Sequence, residues 1–473
     1  MKTNKTLLTL LALAALALFA AGCSDDDDNT IMNPDMGEGA MLRVVHSSPD
    51  APEVDVYAEG VAAPLISGLG YLETSAWLEL DAGTYNVQIR AAGADPMSTP
   101  VYETGMLTVP EGAEITALAV GLLGGSDDSA FRVIPVVEDY QDPGAGNAAV
   151  RIIHGSADAP AVAIDVANDG APEITDFMRY ADTGSAGVPL PAGENLRIGI
   201  WAGEPLARVT TFTTPALPEA NVLLVATGLL GELPRADGGF GLLAVGPSGT
   251  VGLVRQDPVV YALHASPDAP AVDILVGGTS LELVDGLAFG ELSPPVQVSP
   301  ASYDLDFRVD ASGALAATLT TPELMAGERY LAIASGFVAE DGAAFTLLPY
   351  GEAFDDRMDP LVRVVHASPD APAVDVGVWD GMTFTGVADY ADLSFGEASI
   401  GLGTALPASP FTVGIAATGT TSPVATFDLA PVTGMRAFAV AGGSLSDKGE
   451  AFRLIVVDAT MWPWMAAEVL PNP

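Results

Sequence analysis

Tyr85-Asn86-Val87-Gln88-Ile89-Arg90 alternates apolar and polar side chains, and Tyr303-Asp304-Leu305-Asp306-Phe307-Arg308-Val309 repeats the pattern far downstream. A period of two belongs to a strand with one buried and one wet face. Between such runs lies another kind of segment. Ile115-Thr116-Ala117-Leu118-Ala119-Val120 is apolar almost throughout and reads as a strand covered on both faces. Clusters of Gly, Pro, Asn and Asp interrupt the chain at roughly ten-residue intervals, and no stretch carries helical spacing with caps. The expected elements are short strands, about seven to a unit.

The units are visible as repeats. Arg43-Val44-Val45-His46-Ser47-Ser48-Pro49-Asp50-Ala51-Pro52 returns as Arg151 to Pro160, Tyr261 to Pro270 and Arg363 to Pro372. His46, His154, His264 and His366 are the only four histidines of the chain, spaced 108, 110 and 102 residues apart. An aromatic residue, an acid and a serine recur as Tyr71/Glu73/Ser75, Tyr180/Asp182/Ser185, Phe289/Glu291/Ser293 and Phe395/Glu397/Ser399. A glycine then closes a late apolar run, at Gly121, Gly228, Gly336 and Gly442. Such self-similarity marks tandem copies of one structural unit.

About seven short strands in roughly 100 residues argue for a two-sheet sandwich, and the fold expected is four tandem immunoglobulin-like β-sandwich domains. The domains fall at 41–143, 149–247, 258–353 and 361–459, ahead of an aromatic tail over 460–473. Each would bury its own core and act nearly independently of its neighbours. In the tail, Met461-Trp462-Pro463-Trp464-Met465 either covers an open edge of the fourth domain or offers an aromatic platform; covering is the reading adopted.

The 473-residue chain has 18 Lys and Arg against 61 Asp and Glu, a formal charge of −43. That charge repels phosphate backbones and excludes nucleic acid as a partner. One cysteine excludes a disulfide framework and a cysteine-based zinc site. The cysteine stands at position 23, after Lys2 and Lys5, an apolar run from Leu7 to Phe19 broken only by Thr9, and Ala20-Ala21-Gly22. Thirteen helical residues at about 1.5 Å each cannot cross a hydrocarbon core of roughly 30 Å, so the run is an export signal rather than a span. Residues 1–22 resemble a lipoprotein signal peptide, with Cys23 as the lipidated residue and 23–40 as an acidic tether beginning Ser24-Asp25-Asp26-Asp27-Asp28. Cleavage takes Lys2 and Lys5 from the 18 basic side chains, leaving 16 against 61 acidic and a formal −45. Two or three acyl chains would hold the protein stably at the outer membrane or cell surface.

The His-x-Ser-x-Asp-Ala-Pro opening, the aromatic-acid-Ser middle and the glycine-closed strand resemble the bacterial and archaeal family known as domain of unknown function 4397, over about residues 41–459. The second copy departs from the pattern: Ala157 replaces the proline, and Ala163-Ile164 lengthen the spacing to Asp165. The resemblance implies exported, often lipid-anchored surface proteins with tandem sandwich-like domains, and implies no reaction.

Three readings of the recurring polar set stand side by side. The set is His46, Ser48, Asp50; His154, Ser156, Asp158; His264, Ser266, Asp268; and His366, Ser368, Asp370, with Asp55, Asp165, Asp273 and Asp375 shortly after. In the structural reading, which is preferred, these groups satisfy backbone where a buried strand ends in a turn. In the catalytic reading Ser is nucleophile, His base and Asp orienter. Four active sites in tandem argue against it, and no Gly-x-Ser-x-Gly elbow or His-Glu-x-x-His pair occurs. In the metal reading the junction acids Asp142, Asp257 and Asp359 bind calcium and stiffen the array. The expected activity is therefore non-enzymatic: a structural, adhesive or ligand-binding role with a surface polysaccharide or protein as partner.

Overall fold

The computed structural model describes residues 39–184, 187–339 and 341–473. The signal peptide, Cys23 and the tether as far as residue 38 lie outside the described residues, as does Ser185. What is described is almost wholly β: eight sheets of four or five strands, two to each unit.

In the first unit the inner sheet runs Leu78–Leu80, Ala40–Ser47, Glu114–Val120, Arg132–Val137. Its two central strands are parallel, with Met41 opposite Glu114 and Ser47 opposite Val120. The outer sheet runs Ile66–Leu69, Val54–Ala58, Gly83–Ala91, Tyr102–Val109 and is antiparallel throughout. The alternating run from Tyr85 to Arg90 lies in that outer sheet, which has one wet face, as its period requires. The other three units repeat this plan around the His strands Asn147–His154, Val259–His264 and Leu361–Ala367.

The second and fourth units carry one more inner strand than the others, Gly249–Arg255 and Met465–Val469. The first pairs with Gly241–Gly246 and the second with Arg453–Asp458. The expected limits 149–247 and 361–459 are therefore short by one strand each. The tail does cover an edge, and it does so by extending the sheet.

The expectation of nearly independent units is overturned. Leu42 and Val44 point into the first sandwich with Ile115 and Ala117. Val45, Leu118 and Val120, of opposite parity, point out of it into a cluster shared with Ile153, Leu223, Val225, Leu243 and Val245 of the second unit. The third and fourth units share a larger cluster, with Tyr261, Leu263 and Ile333 against Val365, Phe438 and Val440. Each pair is thus four layers thick, and the inner sheets are covered on both faces because another unit supplies the second cover. The physical reason is area: an inner sheet apolar on both faces cannot leave one of them to water.

Polar groups lock each pair at the same register. Arg43, only 1% exposed, reaches across to the Gly246 carbonyl at 2.6 Å, is bound by Glu138 and lies 4.4 Å above the Trp77 ring. Arg151 returns the gesture to the Val137 carbonyl at 2.7 Å, and Arg363 donates to the Gly351 carbonyl at 2.9 Å. In the third unit Tyr261 takes the arginine's place; it stacks on Trp464 at 4.5 Å and accepts that residue's backbone N–H.

Candidate functional site

The recurring polar set is built where each His strand ends. The histidine side chains share the parity of the residues that face their own sandwich, and all four are at most 3% exposed. Each imidazole donates Nε2–H to a proline carbonyl six residues on: Pro52 at 3.1 Å, Pro160 at 3.0 Å, Pro270 at 3.1 Å and Pro372 at 3.0 Å. That bond closes the turn and sets the tautomer. Burial pushes His46, His264 and His366 below the usual histidine value, and the proline carbonyl offsets part of this. Nδ1 of His154, His264 and His366 is buried without a partner.

The serines close the other end of the same loop. Ser48, Ser156, Ser266 and Ser368 donate Oγ–H to the carbonyls of Gly121, Gly228, Gly336 and Gly443 at 2.6 to 2.7 Å. The fourth glycine is Gly443 and not Gly442, so the register expected from the apolar run is off by one in that copy. All four glycines have φ between +75° and +95°, and a Cβ on any of them would lie 2.2 to 2.5 Å from a carbonyl oxygen of the following loop. Only glycine satisfies both demands.

The aspartates hold the loop after that glycine. Asp50 accepts Leu123 N–H, Asp158 accepts Leu230 and Gly231, Asp268 accepts Val338 and Ala339, and Asp370 accepts Leu445 and Ser446. The later acids do similar work on the outer sheet. Asp55 binds the amides of Gly68 and Gly93, Asp165 those of Asp169 and Gly170, Asp273 that of Gly286, and Asp375 those of Asp392 and Gly419. Glu73, Asp182, Glu291 and Glu397 each cap an amide three residues back, and Ser75, Ser293 and Ser399 accept from the His strand.

Such geometry has chemical consequences. Each serine proton is committed to a backbone carbonyl, and no serine Oγ of the set is bonded to an imidazole among the described residues. A Ser-His relay needs that bond. The junction acids do not converge either. Asp142 caps Gly144, the Asp359 carbonyl accepts from Arg436, and Asp257 is buried in an ion pair with Arg197 at 2.9 Å. Among the described residues two carboxylate groups have oxygens within 4.8 Å of one another, Asp165/Asp169/Glu173 and Asp273/Asp285/Asp310, and the junction acids belong to neither. Those two groups lie within units, on the outer-sheet side.

One feature escaped the sequence reading because its walls come from three distant segments. Between the second and third units lies a cleft of about 350 Å³, lined by Arg208 and Glu232 on one side, Glu328 and Arg329 on the other, and Trp462 from the C-terminal segment. Trp462 is 48% exposed, and Arg329 sits 5.1 Å over its ring. Burial raises the Glu328 carboxyl above its usual range and pulls Arg329 down.

Fold and signature together define a class: an all-β chain of tandem sandwiches, joined in pairs, each looped shut by a His/Ser/Asp set. The family model described as domain of unknown function DUF4397 matches residues 40–165 and 258–377, and the chain belongs to that family. Each match opens on the first unit of a pair and ends two strands into the second, at Asp165 and Gly377. No curated protein matches the chain.

Proposed function

We propose that this is an exported, lipid-anchored repeat protein of the outer membrane or cell surface, with a structural, adhesive or ligand-binding role and no turnover. One observation carries the reading. In all four units the residues that could make a hydrolase are consumed by the protein's own backbone, at at most 3% exposure for the histidines and 0% for the serines. Repetition suits attachment, since weak contacts gain from effective concentration. The lipid anchor rests on Cys23 and the segment before it.

Two measurements test it. Cys23→Ser should move the protein from the membrane fraction to the soluble one and abolish labelling by a radioactive fatty acid; unchanged partitioning would refute the anchor. Ser266→Ala and His264→Gln, assayed beside the parent on ester, amide and glycoside substrates, should lower the melting midpoint with no turnover in any of the three. Turnover in the parent that disappears in a still-folded Ser266→Ala would replace this reading with the hydrolase. Calcium enters only through the two carboxylate groups, and a midpoint unmoved by calcium or chelator removes it.

A further inference from the structure

We propose that the cleft between the second and third units binds a saccharide bearing one carboxylate, with the sugar ring against Trp462 and its acid group on Arg329. The inference rests on the ligand-binding reading above and names the ligand's class.

Arg329 supplies the first argument. Its Nε is buried without a hydrogen-bond partner, and among the described residues no carboxylate lies within ion-pair distance of its guanidinium. Glu352, the acid that acts on it from farther away, is held by Arg235 at 2.6 Å. Arg90, Arg132, Arg208, Arg363 and Arg436 also lack a carboxylate at ion-pair distance, but each donates to a carbonyl or amide oxygen of the protein, whereas the Arg329 Nε is buried with none. The Nε itself is closed to solvent, so an anionic oxygen from the cleft would meet this cation at its terminal guanidinium nitrogens.

The second argument is the company it keeps. Trp462 offers a half-exposed indole, and Glu328 and Glu232 bring carboxyl groups to the same space. An apolar ring face beside groups that bond hydroxyls fits a sugar, which has both. The wall glutamines are held mainly by the protein itself. Gln297 is bonded to Thr210, Thr211 and the Asp257 carbonyl, and Gln256 accepts from Thr210, which leaves Arg329, Trp462 and the two glutamates as the groups that face a ligand. Net charge limits the acid groups, because a chain at −43 repels a polyanion. The volume of about 350 Å³ lies within the usual range of small-ligand sites at domain junctions.

The test uses the full mature chain, titrated with a uronate-containing disaccharide and with its carboxyl-reduced neutral counterpart, read by calorimetry and tryptophan fluorescence. Saturable binding of the uronate is expected, weaker by about tenfold or more for the neutral sugar and in Arg329→Gln. Trp462→Ala should lose binding, and Trp462→Phe should keep binding while losing the fluorescence change. Trp462→Ala and Arg329→Gln should still melt in the parent's two cooperative transitions, which separates lost recognition from lost fold. Retained binding by Trp462→Phe shows that the aromatic face is what the sugar needs. No saturable uronate binding overturns the proposal, as does equal affinity for both sugars or undiminished binding by Trp462→Ala and Arg329→Gln. Membrane partitioning and turnover do not involve the cleft, so failure here and failure of the broader reading appear in different measurements.

Discussion

The contact between the third and fourth units and the contact between the second and third are built from opposite materials. The first is a continuous apolar layer in which Tyr261, Leu263, Ile333, Val365, Phe438 and Val440 are each 0% exposed. The second is polar: Arg197 pairs with Asp257 and donates to the Gln297 carbonyl, Arg235 pairs with Glu352, and Thr213 meets Ser299 at 3.0 Å. The difference teaches where cooperativity should lie. Units that share a core should melt together, whereas units joined by hydrogen bonds and ion pairs at a polar junction should couple weakly. The chain is two double units, 1 with 2 and 3 with 4, and calorimetry should resolve two transitions rather than four. Four would break the comparison outright.

The largest mutational effect belongs to the apolar layer. Phe438→Ala removes a ring lying 5.1 Å from Phe354 and 5.8 Å from Trp464, and should cost about 3–5 kcal/mol. It should lower the transition of the third and fourth units as one and leave the other transition in place. Arg43→Met is the electrostatic counterpart in the first pair. Glu138 would be left buried without its cation, at about 3–5 kcal/mol, and adding Glu138→Gln should recover much of the loss. A double variant no better than the single would show that Arg43 matters for packing over Trp77 and not for charge.

Much of this was legible in the residues. Alternation from Tyr85 to Arg90 placed a half-wet strand, and the doubly apolar run from Ile115 to Val120 announced a strand covered on both sides. What covers the second side was not legible, because an apolar face does not name its partner. Arg43 and Val45 on one strand, with Leu118 and Val120 on its neighbour, mark that face only once each strand's two directions are known. The His/Ser/Asp set was legible as a turn-closing device by residue type, but its glycine partner in the fourth copy was misplaced by one, since Gly442 and Gly443 adjoin and only Gly443 has the required positive φ. The strand Gly249–Arg255 was missed because Thr250, Val251 and Gly252 give no alternation with one buried face, and Val251 is 56% exposed. The cleft could not be read at all: Arg208, Arg329 and Trp462 meet only through the stacking of units.

Acidity sharpens the comparison from another side. His46, His264 and His366 have folded-state values lowered by burial, so the folded protein holds fewer protons than the unfolded chain. Their contribution is present in full above the unfolded value of about 6.5 and is lost as pH falls from there toward the folded value. Geometry gives the reason: protonating Nδ1 of His264 or His366 puts a donor where no acceptor stands. Both transitions should therefore move down between pH 7 and 5, since each pair contains such a histidine. His264→Gln together with His366→Gln should flatten the response of the third and fourth units while that of the first pair persists. If the polar junction governed acid sensitivity instead, these substitutions would leave the profile unchanged.

The smallest effect is expected at the polar junction itself. Thr213→Val keeps the side chain's shape and removes one hydroxyl from a part-buried pair with Ser299, a loss of about 0.5–1.5 kcal/mol at most. Because the pair is only part-buried, water can replace the missing partner, which draws the figure toward the lower end. Neither transition should shift by an amount comparable with that of Phe438→Ala, and the separation between the two transitions should widen slightly as coupling across the junction falls. Added salt should act in the same direction on the part-exposed Arg235–Glu352 pair, whose arginine is 23% exposed, and leave the apolar layers untouched. A Thr213→Val variant that merged or split the transitions would mean that hydroxyls, and not the shared cores, decide which units belong together.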